Sequence, residues 1–398
     1  MPHPRINHAG GRFIQEYLTR LSRHAAVQIV APRTPENELA AAYCDEVLRV
    51  HLFPIGELWL RALRTLRRAP VEFMFGLTPG TLMQTPLSKD SEAMRLMEAA
   101  DIVEIQFAQY LPLLEVMRPR LPRARFTVHE HDVFSQYAKE ALRLPQKTRR
   151  RLISSVRARR MPKVEASLLN QCDLIITHNP KDRDLLLHDL GVLKPVEFVY
   201  PPVTIPAEPA AIVGETQVCF VGAMWRIENQ AAVEWMLEWV WPLVRSKVEG
   251  ATLVVAGDGP PRWLMERAGK DGLTVTGFRA SLDPVYASSS VSVVPAIGGA
   301  GIKVKSLQAM AFGLPVVSTR AGAQGIVAGS GVGVFGAIAD DPVEFSDAVA
   351  RLLMDPDEAR QVGGRARAWV LENCDFDAAV DRIAGLYQAL LEPPAPAR

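Results

Sequence analysis

From residue 217 onward, short apolar runs rich in β-branched residues alternate with helix-period stretches of about ten to fifteen residues. The runs are QVCFVGAM (217–224), ATLVVAGDGP (251–260), LTVTGF (273–278), VSVVPA (291–296) and PVVST (315–319). Short β-branched strands that alternate with helices are the pattern of a sheet covered on both faces. Strands joined through helices and covered on both sides make a parallel, doubly wound α/β sheet. No other feature of the chain restricts its fold as much.

The first half follows the same pattern less regularly. AVQIVAP (26–32), DIVEIQF (101–107), RFTVHEHD (125–132) and DLIITHN (173–179) read as strands, with helices near 11–23, 91–99, 110–117 and 140–170. A chain of 398 residues is too long for one ordinary core. Two Rossmann-like domains facing each other across a cleft are therefore expected: 1–200, then a proline-rich linker at 201–216, then 217–375. The tail 376–398 has a helical period at Ala379, Ile383, Leu386 and Leu390 and is expected to pack back on the first domain. One element is out of order. A doubly wound domain opens with a buried strand, yet here a loop, NHAGGRF (7–13), leads directly into a helix. The first strand of the N-terminal sheet is expected to be missing.

Composition narrows the partners. Net charge is +1, which gives no global field for nucleic acid. The cysteines Cys44, Cys172, Cys219 and Cys374 are scattered without metal-ligand spacing, as suits a reduced, cytoplasmic protein. No apolar run approaches the roughly 18 residues of a membrane span, and MPHPRINHAGG has no apolar core of a signal peptide.

The segment GGAGIKVKSLQAMAFGLPVVST (298–319) carries the chemistry. It runs from a strand through a glycine loop into a helix, where ligands of open α/β sheets bind. Gly298, Gly299 and Gly301 let backbone amides approach a ligand, and the helix N-terminus adds partial positive charge. Lys303 and Lys305 stand where cations are least welcome unless an anion is bound. A diphosphate would account for both; side chains pointing to water would cost only a few tenths of a kcal/mol and is the plainer alternative.

The stretch GAGIKVKSLQAMAFGLPVVSTRAGAQGI resembles the signature of the retaining glycosyltransferases of family 4, the glycosyl transferases group 1, which have the GT-B fold. VCFVGAMWRIENQAAVEWM, VVAGDGPP and LTVTGF extend the resemblance over the C-terminal half; HAGGRF, TVHEHDV and CDLIITHNPKD carry it more weakly into the first. The resemblance implies a donor site in which Gly222 approaches the diphosphate or sugar, Arg226 offers a cation, and Phe278 borders the nucleobase. Lys303 and Lys305 would lie near the diphosphate, with Gly299, Ala300, Gly301 and Ile302 presenting amides. Gly10 and Gly11 match a loop that closes over the donor, and His131, ahead of His129, matches a histidine near the reacting sugar carbon. Where many members carry two glutamates, this chain has Ala300 and Gln308. Gln308 can still bond ribose hydroxyls but without a carboxylate's charge-assisted bond, a loss of about 1 kcal/mol.

Plainer roles stand beside these. His131 adjoins Asp132 and suits a structural His–Asp bond; Phe278 suits packing; Trp225, Trp235, Trp239 and Trp241 recur at roughly helical spacing, which favours packing over a sugar platform. The region 141–164 holds Arg143, Lys147, Arg149, Arg150, Arg151, Arg157, Arg159, Arg160 and Lys163 and no acid. It reads as a solvated basic helix, with docking on an anionic membrane at the inner face, or an anionic acceptor, as the functional alternatives. The stretch 52–68 is also basic and amphipathic.

The expected function is thus transfer of a sugar from a UDP- or GDP-linked donor to a glycan, glycolipid or small-molecule hydroxyl. Configuration would be retained by front-face attack, with no metal and no cofactor. A non-catalytic GT-B partner subunit, or another GT-B enzyme such as a nucleotide-sugar epimerase, are the competing expectations.

Overall fold

The computed structural model describes residues 9–42, 48–56, 78–141, 148–210, 216–326 and 331–392. The chain divides into two compact units, Met1–Tyr200 with Asp377–Arg398, and Pro201–Phe376. The helix α6 (Phe376–Leu391) therefore belongs with the first unit although it ends the described chain.

In the first unit, α1 (Ala9–Leu21) precedes a parallel pair, β1 (Gln28–Pro32) and β2 (Arg49–Phe53). A separate four-stranded parallel sheet runs in the order β3 (Ile102–Gln106), β4 (Arg125–Glu130), β5 (Leu174–Thr177), β6 (Val196–Phe198). Between β4 and β5 lie α2 (Phe134–Ala141) and the long α3 (Thr148–Leu169). Side chains of a strand alternate between faces, and β4 shows the consequence. Phe126 and Val128 enter one core with Ile105, Leu114 and Leu169. Thr127 and His129, on the other face, meet Tyr387 of α6. That second core is closed by Tyr17, Leu18 and Leu21 of α1 and by Ala379, Val380 and Ile383 of α6.

The second unit is a six-stranded parallel sheet in the order β12-β11-β10-β7-β8-β9. Its strands are β7 (Gln217–Val221), β8 (Thr252–Ala256), β9 (Leu273–Gly277), β10 (Val291–Val294), β11 (Val316–Ser318) and β12 (Ala337–Ile338). The order reverses at β7, so the C-terminal ends of β7 and β10 lie side by side where the chain leaves the sheet in opposite directions. From β7 the chain enters α4 (Ile227–Trp235); from β10 it enters the glycine loop and α5 (Val304–Ala311).

Two expectations change here. The stretch after Tyr200 is no free linker: Val203 N–H donates to Cys374 O, Ala210 N–H to Phe312 O, and Arg367 to the Pro206 and Ala207 carbonyls. Its unpaired backbone groups, which proline-rich chain leaves exposed, are taken up by the second unit. The strands β2, β6 and β12 were also not foreseen, being short segments of two to five residues with little apolar pattern.

Candidate functional site

In the second unit, three loops converge at the switch point. The β7 loop and the GDG turn after β8 touch through their backbones. A Cβ on Gly257, whose φ is +152°, would stand 1.8 Å from the Gly222 carbonyl oxygen, so only glycine fits there. The Asp258 carbonyl then accepts from Met224 N–H at 2.6 Å and Trp225 N–H at 3.2 Å. From α4, the Asn229 amide donates to Ala223 O at 2.9 Å and that of Gln230 to Met224 O at 2.7 Å. These bonds turn the loop's carbonyls inward and fix its path.

Lys305, in the first turn of α5, reaches this loop. Its ammonium donates to Asn229 Oδ1 at 2.7 Å and lies 4.3 Å from the centroid of the Phe220 ring. A Cβ on Gly222 would come within 2.9 Å of both the Lys305 ammonium and the Asn229 amide. Burial, then the charges of Lys303 and Arg226, bring the Lys305 ammonium down to about 7 against the opposing pull of Glu228. Lys303 caps the loop itself, donating to Ala300 O at 2.9 Å and Gly301 O at 3.1 Å. Gly299 and Gly301, with φ of +115° and +70°, provide the turn that Ala300 and Ile302 could not. Lys303 and Lys305, with the Arg226 charge acting on Lys305, thus place positive charge at one helix N-terminus, where a bound anion would be favoured.

Arg226 stands at the start of α4, 3.8 Å from Glu228. Phe278 follows β9 and is 49% exposed. Gln308 sits one helical turn beyond Lys305 on α5. Of the tryptophans, Trp241 is buried with its indole N–H on Asp271 O at 2.8 Å, and Trp235 packs edge-on against Phe345. Trp225 remains 58% exposed beside the loop.

In the first unit, the C-terminal ends of β3, β4 and β5 bring three histidines together. His131 and His178 have ring centroids 4.5 Å apart, and His129 lies 5.9 Å from His178. The Phe107 ring stacks on His131 at 4.3 Å, held by a backbone with φ of +71°, which a bulky residue adopts only where its surroundings enforce it. Phe13 of α1 meets both His131 and His178 edge-on. Burial, then His178 and His129, hold the His131 imidazole well below its usual range; burial also brings His178 down to about 3. His131 does not pair with Asp132. Its Nε2 lies 3.0 Å from Gln106 Oε1.

Beneath this row is a buried carboxylate. Glu104 Oε2 accepts from the Tyr17 hydroxyl at 2.6 Å and from the Tyr387 hydroxyl, with His129 Nε2 at 3.5 Å. Burial alone would push the Glu104 carboxyl up; His129, then the hydrogen bonds from His129, Tyr17 and Tyr387, outweigh it and bring it down to about 2. A second acidic pair fixes the segment after His131. Glu165 of α3 accepts from Phe134 N–H at 2.6 Å and Ser135 N–H at 2.9 Å, capping α2. Its buried neighbour Glu130 is pushed up by burial and by the Glu165 charge.

Gly10 and Gly11, expected in a closing loop, lie in the first turn of α1. The helix period that begins at Phe13 extends back through them. Of the basic region, 142–147 lies outside the described residues; α3 covers the rest, with Arg159, Arg160 and Lys163 exposed. The basic stretch 52–68 lies outside them from residue 57. Asn229, Glu104, Gln106, Tyr17 and Tyr387 were not foreseen, because each acquires its role only through a partner distant in sequence. Among the described residues no group of three or more His, Cys, Asp or Glu could hold a metal ion, and no helix is long and apolar enough to cross a membrane.

Two units of parallel sheet and helix, the second with its loops converging at a switch point, have the architecture of the GT-B fold, and solved structures share it. Sucrose-phosphate synthase from Thermosynechococcus elongatus superposes with a TM-score of 0.74 at 14% identity, covering 97% of this chain and 96% of its own. HepE from Anabaena, in complex with UDP, gives 0.66 at 14% identity over 96% of this chain and 98% of its own. In the second unit, residues 215–355 match the family model described as "Glycosyl transferases group 1". A GDP-mannose-dependent alpha-(1-6)-phosphatidylinositol monomannoside mannosyltransferase of Mycobacterium tuberculosis is 33% identical over 159 residues, 36% of this chain. An uncharacterized protein of the cps region of Klebsiella pneumoniae is 28% identical over 167 residues, 40% of this chain. The matched stretches span 40% and 42% of those two relatives.

Proposed function

We propose that the protein transfers a sugar from a nucleoside-diphosphate sugar to an acceptor hydroxyl with retention of configuration. The observation that carries this reading is the convergence of Lys305, Gly222 and Asn229 at the N-terminus of α5. As the glycosidic bond to phosphate breaks, charge grows on the leaving diphosphate. Lys303, Lys305, Arg226 and the amides of residues 299–302 would stabilise it by preorganised electrostatics, without a metal. Phe278 and Gln308 would hold base and ribose. The first unit would bind the acceptor, with His131 near the reacting carbon. In a front-face reaction the acceptor hydroxyl attacks from the side the diphosphate leaves, and a phosphate oxygen takes its proton.

A mannosyl donor on GDP is suggested by the mycobacterial relative, and a uridine donor by the UDP-bound neighbour. Thermal shift with UDP, GDP, ADP and dTDP, repeated on the Lys303→Ala, Lys305→Ala double variant, tests the reading. Stabilisation by one nucleotide that is lost in the variant supports it and names the base. No stabilisation by any of them would overturn it in favour of a partner subunit.

A further inference from the structure

Glu104 and Gln106 are two residues apart on β3 and so project from one face of the strand. Glu104 Oε1 accepts from Gln106 Nε2 at 2.5 Å, while Oε2 takes both tyrosine hydroxyls. An ionised carboxylate only accepts, so the NH2 end of Gln106 must face it. The carbonyl end then faces His131 Nε2, 3.0 Å away. A carbonyl cannot donate, so the hydrogen is on His131 Nε2. A neutral imidazole carries one hydrogen, and Nδ1 is left with its lone pair. His178 is fixed in the opposite sense: its Nδ1 lies 3.1 Å from Val199 O and must donate, which leaves Nε2 as a buried acceptor.

We propose that Glu104 is a positioning residue for His131: acting through Gln106, it holds the imidazole as the Nε2–H tautomer with Nδ1 always an acceptor. Stacking on Phe107 fixes the plane of the ring. Gln106 fixes which edge of that plane is which, because a flipped ring would set a C–H against the Gln106 carbonyl. The groups facing the imidazole are His178, His129 and, through Gln106, the Glu104 carboxylate. The use of Nδ1 in catalysis rests on the function proposed above; the tautomer does not.

Long-range 15N–1H correlation spectra of the 15N-histidine-labelled protein at pH 7 read the tautomer directly, with His131→Asn identifying the signals. Wild type is expected to show a protonated Nε2 and an unprotonated Nδ1 at His131. In Gln106→Leu, of similar volume but with no acceptor, the pattern should move towards a tautomer mixture. Turnover should fall about 10- to 100-fold, the usual worth of a partner that fixes an imidazole, with nucleotide affinity unchanged. Glu104→Gln, which removes the obligate acceptor and frees the Gln106 amide to turn either way, should move the pattern in the same direction and serves where the leucine variant folds poorly. An Nδ1–H or doubly protonated His131 in wild type, or an unchanged spectrum in Gln106→Leu, would overturn the proposal. The spectra are taken without substrate, so loss of the proposed activity would leave this outcome legible.

Discussion

The anion cradle of the second unit and the histidine row of the first occupy equivalent places, the C-terminal ends of parallel strands, yet they are built from different material. The cradle is mostly backbone: amides and carbonyls of three loops, whose spacing requires glycine at 222, 257, 299 and 301 and one lysine at 305. The row is mostly side chain: Tyr17 reaches Glu104 across 87 residues and Tyr387 reaches it across 283. A site of backbone is specified by short contiguous motifs. A site of side chains is specified by pairs that meet only after folding.

The sharpest way to break the cradle is therefore a methyl group. Gly257→Ala forces a Cβ to within 1.8 Å of the Gly222 carbonyl at a φ of +152°. It should cost about 3 kcal/mol in denaturant unfolding and abolish nucleotide binding. Lys305→Met tests the cradle's charge. Nucleoside-diphosphate affinity should fall about 30- to 100-fold by calorimetry, the worth of a charge-assisted bond to phosphate. The apo protein should behave differently. The Lys305 ammonium, at about 7 when folded and 10.5 as the ordinary value, makes the unfolded chain bind more protons between those limits. Wild-type stability should rise with pH from about 7 to 10.5 on this account, and the rise should vanish in the methionine variant.

The row should break from the opposite side of the pH scale. The Glu104 carboxyl, at about 2 when folded against 4.5 ordinarily, contributes stability above 4.5 that is lost as pH falls towards 2. Acid unfolding of wild type should show a loss on the order of 3 kcal/mol across that window, and Glu104→Gln, already less stable at neutral pH, should lack that slope. The smallest effect belongs to Gln308, one of the two positions where the resembled signature often has glutamate. Gln308→Glu should tighten nucleotide binding about fivefold if it meets the ribose hydroxyls, roughly 1 kcal/mol.

The same contrast governs what was legible beforehand. The alternation of apolar runs and helices gave five strands of the second sheet, and GGAGIKVK placed Lys303, Lys305 and the glycines where the structure has them. Arg49–Phe53 escaped because its last residues read as the start of the basic amphipathic stretch 52–68, and Val196–Phe198 because three residues carry no period. His131 was named, but its partner was sought in the adjacent Asp132 rather than in Gln106 on the neighbouring strand. Little in the sequence marks Glu104 as a buried anion, since the two hydroxyls that donate to it lie on the first and last described helices.

That last helix has a consequence for biosynthesis. Domains usually fold as they leave the ribosome, the first-made first. Here the first-made unit cannot finish, because one of the hydroxyls that donates to its buried carboxylate is Tyr387, added only after the whole second unit has been translated. Until then Glu104 lacks one of its donors, and the face formed by Leu174, Ile176 and Val199 lacks the cover of Val380 and Ile383. The first unit is thus completed after the second, and a nascent chain halted after residue 376 but before residue 387 carries a complete second unit and an incomplete first one.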